Sequence, residues 1–310
     1  MTKKIFAAGY FGYGNFGDEL ILDIFTKRMS GFRVTHVRRM KTKPFTAIAK
    51  IISSGAVVFP GGSVFQDETS SLSLFFYASV IFTAALFRKP IFLLDSGFEV
   101  RKPLNKKILR LALRLASFIS VRDSASFRAL RSLGLNPLKS ADCAFSLEPL
   151  ACRGVFPPET IGVIPRGKND SAKQAMTVCE KKWPDAEFKF AVLRSKDLGQ
   201  VKRLAGESEP VIIKDLTRAE KFLGECDFFI LAPYHALVLA SAAGAAFTAL
   251  PYSRKITNFL TDTGMESRIF ADAVPDSFDK NNKIRAQKMS IAEECAFQIF
   301  LNLLKDKLTL

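Results

Sequence analysis

The amino-acid sequence predicts an α/β fold made of two Rossmann-like, doubly wound domains that face a cleft. Three observations support this prediction: short apolar strands alternate with helical segments, a proline-rich stretch interrupts the alternation near mid-chain, and the alternation then resumes. With 310 residues, 48% of them hydrophobic, the chain has enough material for two domains of about 150 residues. We expect domains over 1–150 and 157–310, joined by a linker within 148–160.

Each predicted strand is followed by a helix, as βαβ units of a parallel sheet require. In the first half, strands are expected near 4–8, 33–37, 55–59, 90–95 and 117–121, and helices near 18–30, 43–53, 70–87, 103–116 and 123–133. In the second half, strands are expected near 160–164, 188–193, 210–213, 227–231 and 246–250, and helices near 170–182, 197–205, 217–224, 235–243, 254–264 and 281–306. Because ligands of such folds bind at the carboxyl ends of the strands, we expect the active site in the cleft between the domains.

The net charge of +15 is concentrated in the N-terminal half. Residues 1–150 carry 22 Lys and Arg against 10 Asp and Glu, whereas residues 151–310 carry 23 against 20. A basic domain indicates an anionic partner, which is a nucleic acid, a phosphorylated substrate or a membrane surface. The sequence contains no pattern of a DNA-binding or RNA-binding module, so no nucleic-acid partner is expected.

The five cysteines are widely spread and include no Cys-x-x-Cys pair. This pattern indicates neither a disulfide framework nor a zinc site, and it favours a reducing, cytoplasmic compartment. No metal-binding cluster is visible, and no bound cofactor is expected. The apolar run over 71–87 approaches the roughly 20 residues of a membrane span, but its shortness and its hydroxyl side chains favour a buried helix. The alternative is a helix with one side in the fold and the other on lipid.

A glycine-rich loop, GYFGYGNFGDEL over 9–20, follows the first strand. Such a loop before a helix usually binds a phosphate, but Asp18 and Glu19 at the helix start would repel one. We therefore interpret the loop as binding something other than a plain dinucleotide, with helix capping as the alternative role of the two acids.

A second glycine loop, VVFPGGSVFQDETSSL over 57–72, follows the third strand. Gly61, Gly62 and Ser63 would let a ligand approach the backbone closely. Gln66 and Asp67 come next, at the expected start of a helix, where a glutamine either caps the helix or orients the substrate.

The second half places two candidate side chains directly after strands. Arg166 follows the strand that opens the domain, where its planar fork is suited to a carboxylate or a phosphate. His235 lies between a strand and a helix of small residues, and imidazole is the common acid–base group near neutral pH. The other histidine, His36, lies within a strand and suggests no role.

Together, these motifs resemble the polysaccharide pyruvyl transferase family, enzymes that transfer a pyruvyl group from phosphoenolpyruvate to a pair of sugar hydroxyls as a cyclic ketal. The similarity covers about residues 4–265. The family's opening glycine motif matches Gly9 to Glu19, and its Gly-Gly-x-x-x-Gln-Asp loop matches Gly61 to Asp67. Supporting matches are Thr69 and Ser70, Val121 to Asp123, Asp142, His235 to Leu237, Tyr252 and Lys255.

The resemblance implies a role for each candidate residue. Arg166 and Lys255 would hold the carboxylate and phosphate of phosphoenolpyruvate, and His235 would protonate C3 of the enol. The acids and the amide of the opening loop, Asn15, Asp18 and Glu19, would bind the sugar hydroxyls. The substrate-binding residues would be Asn15, Gly17, Asp18, Glu19, Gly61, Gly62, Ser63, Gln66, Asp67, Tyr234 and Arg254.

Departures from the family pattern leave an altered donor or a lower activity open. Pro233 stands where the family commonly has an arginine, and Arg254 would replace the lost charge. The turn that the family builds from Gly-Gln-Gly-Ile-Gly-Pro is reduced here to DSGFEV over 95–100.

Two alternative functions remain: a nucleotide-sugar glycosyltransferase with the same glycosyltransferase-B-like architecture, and a non-catalytic relative that binds glycans. The family's acceptor is a cell-wall or capsular polysaccharide precursor, often lipid-linked, which implies a peripheral contact with the inner face of the cytoplasmic membrane. In the stretch 101–118 the basic side chains Lys107, Arg110 and Arg114 flank an apolar stripe, which suits such a contact. This stripe consists of Ile108, Leu111, Leu115 and Phe118.

Overall fold

The computed structural model describes residues 3–68, 70–147, 150–166, 170–271, 273–274 and 281–309. The described chain divides into two compact units. Unit 1 comprises Met1–Tyr13, Asp18–Ser146 and Met289–Leu310, and unit 2 comprises Gly14–Gly17 and Leu147–Lys288. Thr69 of the second glycine loop and residues 148 and 149 of the expected linker lie outside the described residues.

Unit 1 is built on a parallel sheet of seven strands. Its strands are β1 (Lys4–Ala7), β2 (Arg33–His36), β3 (Ala56–Phe59), β4 (Gly62–Gln66), β5 (Ile91–Glu99), β6 (Phe118–Val121) and β7 (Leu138–Lys139). They pair in the order β2-β1-β3-β5-β6-β7, and β4 pairs with the second half of β5. The helices of the N-terminal segment are α1 (Phe16–Arg28), α2 (Pro44–Ile52), α3 (Ser71–Leu86), α4 (Pro103–Leu113) and α5 (Ser124–Ser132).

Unit 2 is built on a parallel sheet of five strands. They are β8 (Thr160–Ile164), β9 (Glu187–Val192), β10 (Val211–Ile212), β11 (Phe228–Leu231) and β12 (Ala246–Ala249), in the order β10-β9-β8-β11-β12. The helices are α6 (Asp170–Lys182), α7 (Leu198–Ala205), α8 (Leu216–Gly224), α9 (Tyr234–Ala242), α10 (Arg254–Thr263) and α11 (Asn282–Thr309), the last of which continues into unit 1.

The apolar periodicity of the helices explains how the unit 1 sheet is covered on both sides. Helices α2, α3 and α4 bury Ile51, Ile81 and Leu109 in one core cluster. Helices α1 and α11 bury Phe25 and Phe300 in a second cluster that also contains side chains of β1, β3 and β5. The sheet is therefore shielded from water on both faces, as parallel sheets require.

The last helix differs from its predicted assignment. We expected it to be long enough to pack across both halves but counted it with the domain over 157–310, whereas the structure assigns Met289–Leu310 to unit 1. The reason is hydrophobic burial, because Phe297, Phe300 and Leu304 complete the second core cluster of the unit 1 sheet.

The predicted α/β class with two Rossmann-like units is confirmed, and each predicted strand and helix is present with its ends moved by a few residues. Two strands were missed, β4 and β7. Gln66 does not start a helix but ends β4, and DSGFEV is not a turn, since β5 continues to Glu99. Phe118 belongs to β6 and not to the amphipathic helix, because α4 already ends at Leu113.

Candidate functional site

Both sheets have a point at which the strand order reverses. In unit 1 it lies between β1 and β3, and the two glycine loops follow these strands. In unit 2 it lies between β8 and β11, and Arg166 and His235 follow these strands. Ligands of open α/β sheets bind at this point, outside the carboxyl ends of the strands. The topology thus marks one candidate binding region in each unit.

The first region brings the two glycine loops together. A Cβ on Gly62 would lie 3.4 Å from Oδ1 of Asp18, and one on Gly61 would lie 3.3 Å from Cγ2 of Ile21. Gly61 has a φ angle of 141° and Gly62 one of 82°. Residues with a Cβ rarely adopt such positive φ angles. Glycine is therefore needed here for backbone conformation and for the close approach of α1.

A buried arginine fixes Ser63 in this region. Arg122 Nη2 donates to Ser63 Oγ at 2.8 Å, and Nη1 forms an ion pair of 2.8 Å with Asp142 Oδ2. Both partners of the ion pair are almost fully buried. Sequence reasoning gave Arg122 and Asp142 no role beyond the family match, although their ion pair joins motifs that are separate in the sequence.

Glu19 holds the opening glycine loop in place. Its Oε1 accepts a hydrogen bond of 2.6 Å from the backbone N–H of Gly12, and its Oε2 lies 3.4 Å from Nη2 of Arg38. Gly12 has a φ of 84°, so the loop turns sharply at the residue that Glu19 binds. The role of Glu19 as a sugar ligand stays a prediction, while its contact with the loop is a structural one.

Asp67 holds the start of α4. Its carboxylate accepts hydrogen bonds from the backbone N–H groups of Arg101 at 3.0 Å and Lys102 at 2.9 Å, and from Nδ2 of Asn105 at 2.9 Å. Burial opposes ionisation of Asp67, but these hydrogen bonds outweigh it and lower the pKa of the carboxyl group. Asp67 and Gln66 were predicted as substrate ligands, and this remains a prediction for both.

Three tyrosines that sequence reasoning did not single out interact with one another in unit 1. The rings of Tyr10 and Tyr13 stack with centroids 4.0 Å apart, and Lys41 Nζ lies 5.5 Å from the ring of Tyr10 and 5.3 Å from that of Tyr77. Burial raises the pKa of Tyr77, and the charge of Asp18 raises it further. Tyr77 is fully buried, whereas Tyr10 and Tyr13 are half-buried members of the opening loop, where the signal was available. Aromatic faces with polar tips such as theirs are suited to a sugar ring.

In unit 2, the segment Gly14–Gly17 lies against the end of β9 and against His235. The N–H of Phe16 donates to the carbonyl of Leu193 at 3.2 Å, and Asn15 forms an antiparallel bridge with Arg194. A Cβ on Gly17 would lie 2.0 Å from Nδ1 of His235, so only glycine fits between this backbone and the imidazole ring. Gly17 and His235, far apart in the sequence, are therefore direct neighbours within unit 2.

Cationic side chains gather at the same edge of the unit 2 sheet. Arg166 Nη1 donates to the hydroxyl of Tyr252 at 2.6 Å, and Arg166 Cζ lies 4.9 Å from the centroid of that ring. Burial raises the pKa of Tyr252, while the positive charges of Arg166 and Arg194 act in the opposite direction. Arg194 was not predicted, although it follows the end of β9 as Arg166 follows β8.

The remaining predicted residues of unit 2 lie at helix starts. Arg254 and Lys255 are the first two residues of α10, which follows β12. Tyr234 and His235 are the first two residues of α9, and the ring of Tyr234 packs edge-on against Phe259 at 5.7 Å. The two helices follow β11 and β12, which are neighbouring strands of the sheet.

Within the described part of the chain, no group of three or more His, Cys, Asp or Glu side chains is arranged to hold a metal ion. The cysteines are free thiols. Burial raises the pKa of Cys179 and of Cys226 to about 12, so both thiols are protonated near neutral pH.

Solved structures are similar to this chain over nearly its whole length. UDP-GlcNAc 2-epimerase from Methanocaldococcus jannaschii is similar with a TM-score of 0.52 and 10% identity, over 97% of this chain and 100% of that chain. MurG from Acinetobacter baumannii has a TM-score of 0.48 and 13% identity, over 98% of this chain and 99% of that chain. At such low identity the likeness concerns the fold alone.

Among curated proteins, no sequence matches the chain. The model of the family described as polysaccharide pyruvyl transferase matches residues 15–254, which is most of the chain. This range includes Gly17, Arg166 and His235, the residues that the structure places at the edge of the unit 2 sheet. The chain therefore belongs to the polysaccharide pyruvyl transferase family and is a transferase.

Proposed function

We propose that the protein transfers a pyruvyl group from phosphoenolpyruvate to a sugar of a cell-wall or capsular polysaccharide precursor and forms a cyclic ketal. The observation that carries this proposal is the site of unit 2. Gly17 of the family's opening motif packs against His235, and both Arg166 and His235 follow strands at the point where the sheet order reverses. An acid–base group thus lies at the sheet edge that also carries the cationic side chains.

The donor has two anionic groups, a carboxylate and a phosphate, and each needs a cation. Arg166 donates to the hydroxyl of Tyr252, and the positive charge of Arg194 acts on the same hydroxyl. The fork of Arg194 is held by Asp197 at 2.7 and 2.8 Å, and Lys255 is the second residue of α10, which follows β12. Arginine is suited to both groups because its fork donates two parallel hydrogen bonds. We assign the donor to these residues, with Arg194 and Arg254 replacing the arginine that the family commonly has at position 233.

The reaction proceeds in two steps that both use C2 of the donor. In the first, a sugar hydroxyl attacks C2 while His235 gives a proton to C3, so the enol becomes a methyl group and the phosphate stays attached. In the second, another hydroxyl of the same sugar attacks C2 and inorganic phosphate leaves, which closes the ketal. Asp18 accepts the proton of the first hydroxyl, and the imidazole of His235, which has given its proton to C3, is restored by the proton of the second. Asp18 then returns its proton to the leaving phosphate or to solvent, and one phosphate is released for each ketal.

The acceptor is assigned to unit 1. Asp18, Gly62 and Ser63 are held together there by close packing and by Arg122, and the tyrosine rings lie close by. Hydroxyl groups need such neutral and carboxylate hydrogen-bonding partners, whereas a phosphate would be repelled by Asp18.

The test measures phosphate release from phosphoenolpyruvate with a panel of lipid-linked hexose and N-acetylhexosamine acceptors, N-acetylmannosamine included. We expect release with one acceptor class, a ketal product in the mass spectrum, and loss of release in His235→Ala. The matched control is His36→Ala, which changes the other histidine and should keep the activity.

Donor binding is measured separately by calorimetry, with phosphoenolpyruvate and with uridine diphosphate sugars. Binding of the nucleotide sugar in place of phosphoenolpyruvate would show a glycosyltransferase, and glycan binding without phosphate release would show a non-catalytic relative. Phosphate release by His235→Ala at the wild-type rate would contradict the mechanism.

A further inference from the structure

Three neighbouring helices of unit 1 carry large apolar side chains on their outer sides. Helix α3 packs between α2 and α4, and all three bury their inner sides in the same core cluster. Their outer sides expose Phe45 by 85%, Leu72 by 77%, Leu86 by 78% and Leu104 by 63%. We call this surface the outer helix face; it also includes Ile48, Ile52, Phe82, Leu111 and Leu115.

The exposed side chains recur at helical spacing. On α4 and its C-terminal extension, Leu104, Leu111 and Leu115 are 7 and 4 residues apart, which puts them on one line along the helix. On α3, Phe82 and Leu86 repeat the spacing of 4. Apolar residues that project outward on three adjacent helices form a continuous patch, and such patches mark interaction sites.

The charge of the outer helix face has one sign. The three helices contain no Asp or Glu, whereas Lys50, Lys106, Lys107 and Arg110 lie on them. Arg88 and Lys89 follow the end of α3. The partner must therefore accept large apolar side chains and supply negative charge.

We infer that the outer helix face docks the protein on an anionic lipid bilayer. The apolar side chains enter the boundary between headgroups and acyl chains, and the lysines and arginines contact lipid phosphates. A symmetric contact with a second copy is disfavoured, since it would set two purely basic faces against each other. Among the described helices, none is long and apolar enough to cross a membrane.

This inference extends the sequence-based expectation for 101–118, which named only one helix. Of the four apolar residues predicted there, Leu111 and Leu115 are exposed, whereas Ile108 packs against the core and Phe118 lies in β6. The outer sides of α2 and α3 supply the larger apolar part of the face.

The test is flotation of the purified protein with lipid vesicles, without donor or acceptor. One set of vesicles is phosphatidylcholine, and the other contains roughly one third phosphatidylglycerol in addition. We expect binding to the anionic vesicles only, and weaker binding as the salt concentration rises.

Two variants and one control separate the two contributions. Leu72→Gln/Leu86→Gln should lower vesicle binding more than tenfold, while the high exposure of both residues preserves the fold. Lys107→Gln/Arg110→Gln should lower binding about fivefold for each charge removed. The control Ile284→Gln/Ile291→Gln changes two exposed isoleucines of α11 and should bind like the wild type.

Equal binding to both vesicle types, or unchanged binding of the leucine variant, would overturn the inference. Absence of vesicle binding would overturn it as well. Light scattering on the same samples shows whether a second copy covers the face, because Leu72→Gln/Leu86→Gln would then turn a dimer into a monomer. Since no substrate is present, these results do not depend on the proposed reaction.

Discussion

Replacing Gly17 by alanine tests the contact on which the proposed site of unit 2 depends. The new Cβ would lie 2.0 Å from Nδ1 and 2.3 Å from both Cε1 and Cγ of His235, which is far inside van der Waals contact. The ring or the backbone must therefore move. Overpacking of this kind costs about 1–3 kcal/mol in the free energy of unfolding. A displacement of a reacting group by about 1 Å lowers the rate by roughly a hundredfold.

Thermal unfolding and phosphate release from phosphoenolpyruvate measure the two effects. The matched control is Gly199→Ala in the same unit, because a Cβ on Gly199 meets no atom within 4 Å. The double variant Gly17→Ala/His235→Ala shows whether the ring is the cause. With the ring removed, we expect the alanine at position 17 to cost little additional stability.

Three outcomes would refute this reasoning. The first is that Gly17→Ala keeps the wild-type stability and rate of phosphate release. The second is that Gly199→Ala loses as much stability and rate as Gly17→Ala. The third is that the loss of stability in the double variant equals the sum of the losses in the two single variants. The last outcome would mean that Gly17 and His235 act independently.

Three further changes test other parts of the structure. Arg122→Met should lower the free energy of unfolding by about 3–5 kcal/mol in urea titrations, because it leaves the carboxylate of Asp142 buried without its cation; a loss below about 1 kcal/mol would contradict this. Burial raises the pKa of Glu293 from 4.5 to about 8, so the folded state keeps a proton that the unfolded chain releases. Stability should therefore fall by up to about 1.4 kcal/mol per pH unit as the pH rises between these values, and Glu293→Gln should flatten that slope in unfolding curves. Tyr252→Phe should weaken phosphoenolpyruvate binding about fivefold in calorimetry, since Arg166 loses the hydroxyl that positions it; unchanged affinity would refute this role.

The regular part of the fold could be predicted because its signals are local. Apolar strands and amphipathic helices alternate clearly in the sequence. Candidate residues such as Arg166 were chosen because they follow predicted strands, and ligands of such sheets bind at the carboxyl ends of strands. Strand β4 was missed because Gly62–Gln66 has polar ends and pairs only with the second half of β5, a tertiary contact. The assignment of Met289–Leu310 failed for a similar reason, since nothing in the helix itself specifies which sheet Phe300 covers.

The positions of candidate residues after strand ends could be predicted, whereas the side-chain partners of these residues could not. Arg166 and His235 follow strands and were found, whereas Arg194 follows its strand equally and was overlooked. The ion pair of Arg122 with Asp142 joins two loops, and only the folded chain shows it. The acids were the hardest residues to interpret, because a carboxylate that caps a helix and one that binds a sugar look alike in a sequence.

The opening loop shows why the acids matter for where the phosphate binds. In a dinucleotide-binding fold, the N–H groups of such a loop are available to a phosphate. Here the N–H of Gly12 already donates to Glu19 at 2.6 Å, and Asp18 lies close to Gly62 of the neighbouring loop. A phosphate would have to displace one carboxylate and approach another, and both cost electrostatic free energy. In unit 2 the fork of Arg194 is paired with Asp197 at 2.7 and 2.8 Å, but Arg166 donates to the neutral hydroxyl of Tyr252, so a phosphate at Arg166 displaces no carboxylate from it. This is why we assign the phosphate of the donor to unit 2 and the hydroxyls of the acceptor to unit 1.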